Sequence, residues 1–354
     1  MNITKALALA GKIVSKRATI PMLAGVRVTI TDGVAALQAT DLYDQHLTIY
    51  CEAPGAADLA PTIVEHKTLA ALVKAAPGAD IGTLVRDMAP ICDASDWLSE
   101  HEYTVEGTIT MPAPTWCNTL ASVGSCMSGE ETRYYLRGIH FGAAHGHAVS
   151  TDGHRMAAFK LPDGTLDLAQ DIIVPHHAVA MLASILAKDS NTRTLTVNAT
   201  PRNGTWTRLV TPTVHYAARA VDGTFPDWQR IVPSKAPKHT LTLRLATLAG
   251  HGAAMARLVP RKHDTAGKAL VETTSVSITV ATGANTDLSL PVMDATSSWW
   301  EPVAFQPKYL ADLADAFPKG ATITLSMVDT TGPALITSVD APNMRYVLMP
   351  VRYN

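Results

Sequence analysis

Apolar and polar positions along the chain alternate between two periods. In residues 64–72, 174–182 and 305–313 an apolar residue is followed by aliphatic residues five and eight positions later. The stripes continue as Leu69/Leu72/Val73, Val179/Leu182/Leu186 and Leu310/Leu313/Phe317. That spacing lays one apolar stripe along an amphipathic helix, and Pro175 and Pro307 suit a first helical turn. The starts are offset by 110 residues (64 to 174) and 131 residues (174 to 305). Alanine-rich stretches with helical character, 4–14, 115–127 and 245–258, recur at nearly the same offsets. Between the two helices of each set the period falls to two. Residues 25–30, Asp32-Gly33 and 34–50 read as a hairpin with an Asp-Gly turn. Residues 138–141 with 146–161, and 276–280 with 288–292, repeat it, and further strand follows at 194–197, 206–210 and 321–328. The pattern predicts helix, strands, helix, strands, three times over.

Three domains follow from this plan: 1–105, 106–236 and 237–354. The first boundary falls near 103–107. The second falls in Pro233-Ser-Lys-Ala-Pro-Lys238, whose prolines resist both helix and sheet.

Charge narrows the function classes. The 354 residues hold 29 Lys+Arg and 31 Asp+Glu, a net charge of -2; 47% are apolar and 17% charged. Disorder is excluded, and any nucleic-acid contact must come from a local patch rather than bulk charge. Four cysteines without a C-x-x-C pair fit reduced thiols in a cytoplasm. Lys12 interrupts the first apolar run before it reaches signal-peptide length, and residues 178–187 are too few to span a bilayer, so no membrane contact is expected. Asp152 with His154 invites an acid–base reading, and His140, His145, His147 and His154 a metal reading. No H-E-x-x-H, G-x-S-x-G, P-loop or G-x-G-x-x-G accompanies them. No catalytic residue, metal or cofactor is expected.

Six stretches carry a resemblance: Arg17-Ala-Thr-Ile-Pro-Met-Leu23, Ala39-Thr-Asp-Leu42, Arg133-Tyr-Tyr-Leu-Arg-Gly138, Thr151-Asp-Gly-His-Arg-Met156, Val221-Asp-Gly-Thr-Phe-Pro-Asp-Trp228 and Tyr346-Val-Leu-Met-Pro-Val-Arg352. In this order they resemble the beta sliding clamp of bacterial DNA polymerase III. The resemblance implies an α+β DNA-clamp fold, with three copies of one domain per subunit and two subunits joined head to tail in a ring. It implies a processivity factor that is not an enzyme. The ring would encircle duplex DNA without regard to sequence and tether the polymerase, as a cytoplasmic homodimer.

The resemblance also implies a pocket for short linear motifs of the polymerase and the clamp loader. Its residues would be Leu136, Thr151, Gly153, His154, Arg155, Met156, Pro226, Arg230, Ile231, Val347, Leu348, Met349, Pro350, Val351 and Arg352. Such a pocket should be mostly apolar with a few orienting polar groups, and Met suits an adaptable lining. Arg155 and Arg352 are expected to hold polar groups of the peptide. For DNA the resemblance points to Arg17, Arg133, Tyr134 and Tyr135. Lys5, Lys12, Lys67, Lys74, Arg244, Arg257 and Lys308 lie on or beside the repeated helices. Residues 78–97 are about twenty residues shorter than the family pattern, which removes strands expected at the subunit junction. A closed homodimer is still expected; a clamp-like peptide-binding scaffold that closes no ring is the alternative. His176-His177 stand where the family tends to be basic, and Tyr353-Asn354 extend the usual end.

Overall fold

The computed structural model describes residues 1–15, 17–97, 104–200, 204–258, 268–272, 277–282, 286–291, 296–298 and 303–351. Its helices are α1 (Ile3–Ala10), α2 (His66–Ala75), α3 (Ile81–Arg86), α4 (Ala113–Gly124), α5 (His176–Leu186), α6 (Leu245–Leu258) and α7 (Pro307–Ala316). The chain forms two compact units, residues 1–117 with 163–222 and residues 118–162 with 223–354.

The first unit holds a nine-stranded antiparallel sheet. Its order is Leu59–Glu65, Gly25–Thr31, Val34–Thr40, Gln45–Glu52, Val214–Arg219, Gly204–Val210, Thr192–Thr200, Thr104–Pro112 and Leu166–Leu168. Alternation decides which face is buried: Val26, Val28 and Ile30 turn inward, and their strand pairs Val28 with Leu37 and Ile30 with Ala35. Asp32 (φ 50°) and Gly33 (φ 74°) both take the left-handed conformation that a two-residue hairpin needs. The expected single arm 34–50 is instead two strands. Asp41 causes the break, because its Oδ1 accepts from the amides of Asp44 (2.9 Å) and Gln45 (2.7 Å) and closes a turn.

Helix α1 starts where the Asn2 side chain accepts from the Lys5 amide and buries Ala6, Leu7 and Ala10. It stops at Gly11, short of the expected 14. Leu69 and Val73 of α2 are buried, as are Val179, Leu182 and Leu186 of α5, so the stripe spacing reports the sheet-facing side. The short segment after α2 folds as α3, capped by Asp80, which accepts from Gly82 and Thr83 amides. Ile81 and Val85 are buried. The chain then returns along the edge strand Leu59–Glu65, where the Ile91 amide donates to the Ile63 carbonyl at 2.9 Å.

In the second unit the strands Gly138–Gly142, His147–Thr151, Arg155–Lys160, Met344–Leu348, Ala334–Ser338, Thr322–Met327, His239–Arg244 and Thr296–Ser297 follow one another across an antiparallel sheet. A four-stranded sheet orders Thr286–Pro291, Ser277–Thr282, Lys268–Glu272 and Val303–Phe305. Helices α6 and α7 pack Leu248, Leu310 and Leu313 onto Ile323, Leu325, Ile336 and Tyr346. Truncating any one such leucine would cost about 2–5 kcal/mol. Gly252 lets the helices close up: a Cβ there would meet the Ala311 nitrogen at 2.6 Å and the Pro307 oxygen at 2.7 Å. All four cysteines are free thiols. Burial raises their pKa values, that of Cys126 to about 12. Among the described residues no helix is long and apolar enough to cross a membrane.

One ion pair in the first unit gives a pH test. Arg193 Nε donates to Asp189 Oδ2 at 2.5 Å, and Asn191 donates to Oδ1. Chiefly through Arg193, the Asp189 pKa is lowered to about 2. The charged form therefore favours the fold: its contribution is full above about pH 4, the unfolded carboxyl range, and is lost as pH falls toward 2. Asp189→Asn should lower stability by about 1 kcal/mol at pH 7. The difference should shrink steadily below pH 4 when urea midpoints are compared.

Candidate functional site

A cavity of about 490 Å3 opens in the second unit. Its walls are Ser128, Gly129, Glu130, Asp152, His154, Gln306, Tyr309, Met349, Pro350 and Val351. The turn after strand His147–Thr151 supplies Asp152 and His154, the start of α7 supplies Gln306 and Tyr309, and the segment after Met344–Leu348 supplies the rest of the apolar lining. Hydrogen bonds lock these pieces together. The Met349 amide donates to the His154 carbonyl at 2.9 Å, Val351 to Ala304 at 2.8 Å, and Ser128 to Leu136 at 3.0 Å. The His154 ring stacks toward Tyr309 at 6.3 Å.

The turn 151–155 leaves no carboxylate spare for acid–base work. Asp152 Oδ1 accepts from the His154 and Arg155 amides, and Oδ2 accepts from Arg155 Nε at 3.0 Å. Gly153 holds φ 90°, and a Cβ there would meet Arg133 Nη1 at 2.9 Å. Arg155 is only 6% exposed. Its Nη1 donates to Asp312 Oδ2 at 2.6 Å, and its guanidinium carbon lies 4.5 Å from the centre of the Tyr309 ring. The guanidinium expected to meet a ligand instead braces the wall behind it, because a buried cation must be paired.

The other expected residues fall into separate groups. Leu136, Thr151, Met156, Val347 and Leu348 are buried, with Met156 opposite Val347 and Arg155 opposite Leu348 across adjacent strands. Met156 and Val347 share a small core with Val149, Ala158 and Trp228. Pro226, Arg230 and Ile231 are exposed, and Arg230 pairs with Asp227 at 2.8 Å. Arg352 lies outside the described residues, as do Tyr353 and Asn354. Sequence reasoning missed Ser128, Gly129, Glu130, Gln306 and Tyr309. Only Tyr309 left a trace, as an aromatic beside the apolar stripe of α7. His147 donates from Nδ1 to the His145 carbonyl, leans on Trp228, and has its pKa lowered by burial. Among the described residues no three His, Cys, Asp or Glu side chains converge as a metal set.

A second feature concerns charge. Among the described residues six helices have eight or more residues; α1, α2, α4, α5 and α6 contain no Asp or Glu, and α7 does. The chain has 31 such residues in all. Lys5, Lys12, Lys67, Lys74, Arg244, Arg257 and Lys308 are all exposed, as are Arg17 and His176. Lys12 Nζ reaches the Ser184 hydroxyl at 2.5 Å, joining α5 to the end of α1. The Arg133-Tyr134-Tyr135 stretch forms a turn of 3-10 helix beside the cavity. Arg133 Nε pairs with Glu130 at 3.1 Å, and Nη1 donates to the Asp152 carbonyl at 3.3 Å. Tyr134 is exposed, its ring edge-on to Tyr135 at 5.7 Å.

Comparison with known proteins gives this arrangement a class. Residues 110–227 match the family described as DNA polymerase III beta subunit, central domain. The beta sliding clamp of Escherichia coli strain K12 is 25% identical over 362 residues, 95% of this chain and 93% of that protein. The beta sliding clamp of Caulobacter vibrioides is 26% identical, covering 98% and 97%. A crystal structure of a DnaN sliding clamp, DNA polymerase III subunit beta, from Bartonella birtlesii bound to griselimycin superposes with a TM-score of 0.81 at 25% identity, over 99% of this chain and 97% of that one. The fold is the α+β DNA-clamp fold. Within that class the chain is similar to the bacterial beta sliding clamps.

Gly153→Ala tests the turn beneath the cavity. It should lower stability by about 1–2 kcal/mol, read by chemical denaturation, and should shift Arg133 off the Asp152 carbonyl in a crystal structure.

Proposed function

We propose that the protein is a DNA sliding clamp that encircles duplex DNA and tethers a replicative polymerase as its processivity factor. The observation that carries this reading is end-to-end likeness to beta sliding clamps, 95% of this chain against 93% of the Escherichia coli protein. The helices supply the physical reason. Acid-free helices offer a modestly cationic surface on a chain whose net charge is -2, enough to hold DNA by screened attraction. Many tight phosphate contacts would each release counterions and impede sliding.

The three tandem domains, 1–105, 106–236 and 237–354, would each contribute a helix pair to this surface, and two subunits would close the ring. Arg17, Arg133, Tyr134 and Tyr135 are the proposed DNA contacts. For Arg133 this requires exchanging Glu130 for a phosphate. The cavity is the proposed site for linear motifs of the polymerase and clamp loader, flanked by Pro226, Arg230 and Ile231. The protein has no catalytic role and works in the cytoplasm.

A second reading is favoured by one observation. Where a longer first domain would continue, α3 and residues 91–92 fold back on the edge strand Leu59–Glu65. That supports a clamp-like scaffold that binds peptides without closing a ring. Retention on DNA separates the two. Loaded onto nicked circular DNA, a ring stays bound and then slides off when the circle is cut; a pocket-only protein shows no such difference. Sedimentation should give a dimer at micromolar concentration, and a monomer alone would refute the ring.

Met349, 37% exposed on the cavity wall, tests the pocket. Met349→Lys should weaken griselimycin binding about tenfold or more by calorimetry, leaving the oligomeric state seen in sedimentation unchanged.

A further inference from the structure

We propose that Asp312 is a positioning residue of this pocket. Through Arg155 it fixes the Tyr309 ring in the wall and so sets how tightly the pocket holds a ligand. The inference rests on the pocket reading above and adds a residue that does not line the cavity.

Asp312 follows Tyr309 by three positions on α7, so the two side chains share one face of the helix. Tyr309 turns to the cavity while Asp312 reaches the buried guanidinium of Arg155 at 2.6 Å. Asp152 cannot take over that link. Its Oδ1 is committed to two amides of its own turn and its Oδ2 to Arg155 Nε. Asp152 therefore holds Arg155 within the turn 151–155, and Asp312 ties that turn to α7. The Tyr309 ring lies on the guanidinium at 4.5 Å, so its place in the wall is set by where Arg155 is held. The His154 ring stacks toward Tyr309, and the His154 carbonyl receives the Met349 amide. Arg155 thus joins the turn to α7, and the backbone of its neighbour His154 joins the turn to the exit of the last strand. Lys308, one turn back on α7, also meets Asp312 at 2.9 Å, but its side chain is 67% exposed. A pair that open to water contributes little.

Removing the Asp312 charge leaves Arg155 Nη1 without its carboxylate at a buried site, where the partner matters most. The guanidinium should then move, and the Tyr309 ring with it. The test uses the full chain, with griselimycin titrated by calorimetry and thermal unfolding measured alongside. Asp312→Asn should bind about tenfold more weakly and unfold at a lower Tm, and Asp312→Glu, which restores the carboxylate, should recover most of the affinity. Lys308→Ala should stay within about twofold of wild type. The proposal is overturned if Asp312→Asn binds like wild type, if Asp312→Glu binds as weakly as Asp312→Asn, or if Lys308→Ala loses as much. If the wild-type chain itself does not bind griselimycin, the pocket reading fails on its own. The crystal structure of Asp312→Asn then decides the positioning role: a Tyr309 ring displaced from Arg155 supports it, and an unmoved ring overturns it.

Discussion

A guanidinium taken out of water must recover its hydrogen bonds and its counter-charge from the protein, or the fold around it fails. Arg155 is in that position, with most of its surface buried and one carboxylate arriving from each side. The turn 151–155, the start of α7 and the exit of the last strand each have their own local reasons to form. Arg155 fixes the turn against α7, and backbone hydrogen bonds fix the exit of the last strand against both. Apolar packing alone would let such pieces slide, since dispersion contacts are non-directional. Two carboxylates and an aromatic face around one planar cation allow far fewer arrangements.

The same economy governs charge elsewhere. Among the described residues, carboxylates are excluded from five of the six longer helices and left to strands, turns and α7. A net charge near zero therefore describes a segregated molecule rather than a neutral one. The cations are spaced singly along helices instead of clustered, which suits loose attraction over a long surface.

The repeated second helices were legible because a 3.6-residue period leaves an unmistakable stripe. Residues 69, 179 and 310 are buried as the spacing requires. The Asp32-Gly33 hairpin was legible because only such residues accept two successive positive φ angles without strain. Other features had no local signature. Helix α3 has just six residues, too few for a period to be read. The break at Asp41 depends on a side chain closing a turn inside an otherwise strand-like run. The inward orientation of Arg155 also had no local signature. The carboxylate that turns it inward lies 157 residues further along the chain, and no spacing rule connects the two.

The acid-free helices also say something about how this chain reaches its fold. Without Asp or Glu, a helix has no internal i to i+4 ion pairs and no acid within its own first turn. At 8 to 14 residues, such helices are marginal on their own in water. The strands they need are themselves distant in sequence: residues 45–49 pair with 214–218, and 155–159 with 344–348. Loop closure over such separations is slow. Helix formation is therefore expected to trail sheet assembly during folding, and the surface that presents the cations is expected to be among the last parts of the molecule to appear.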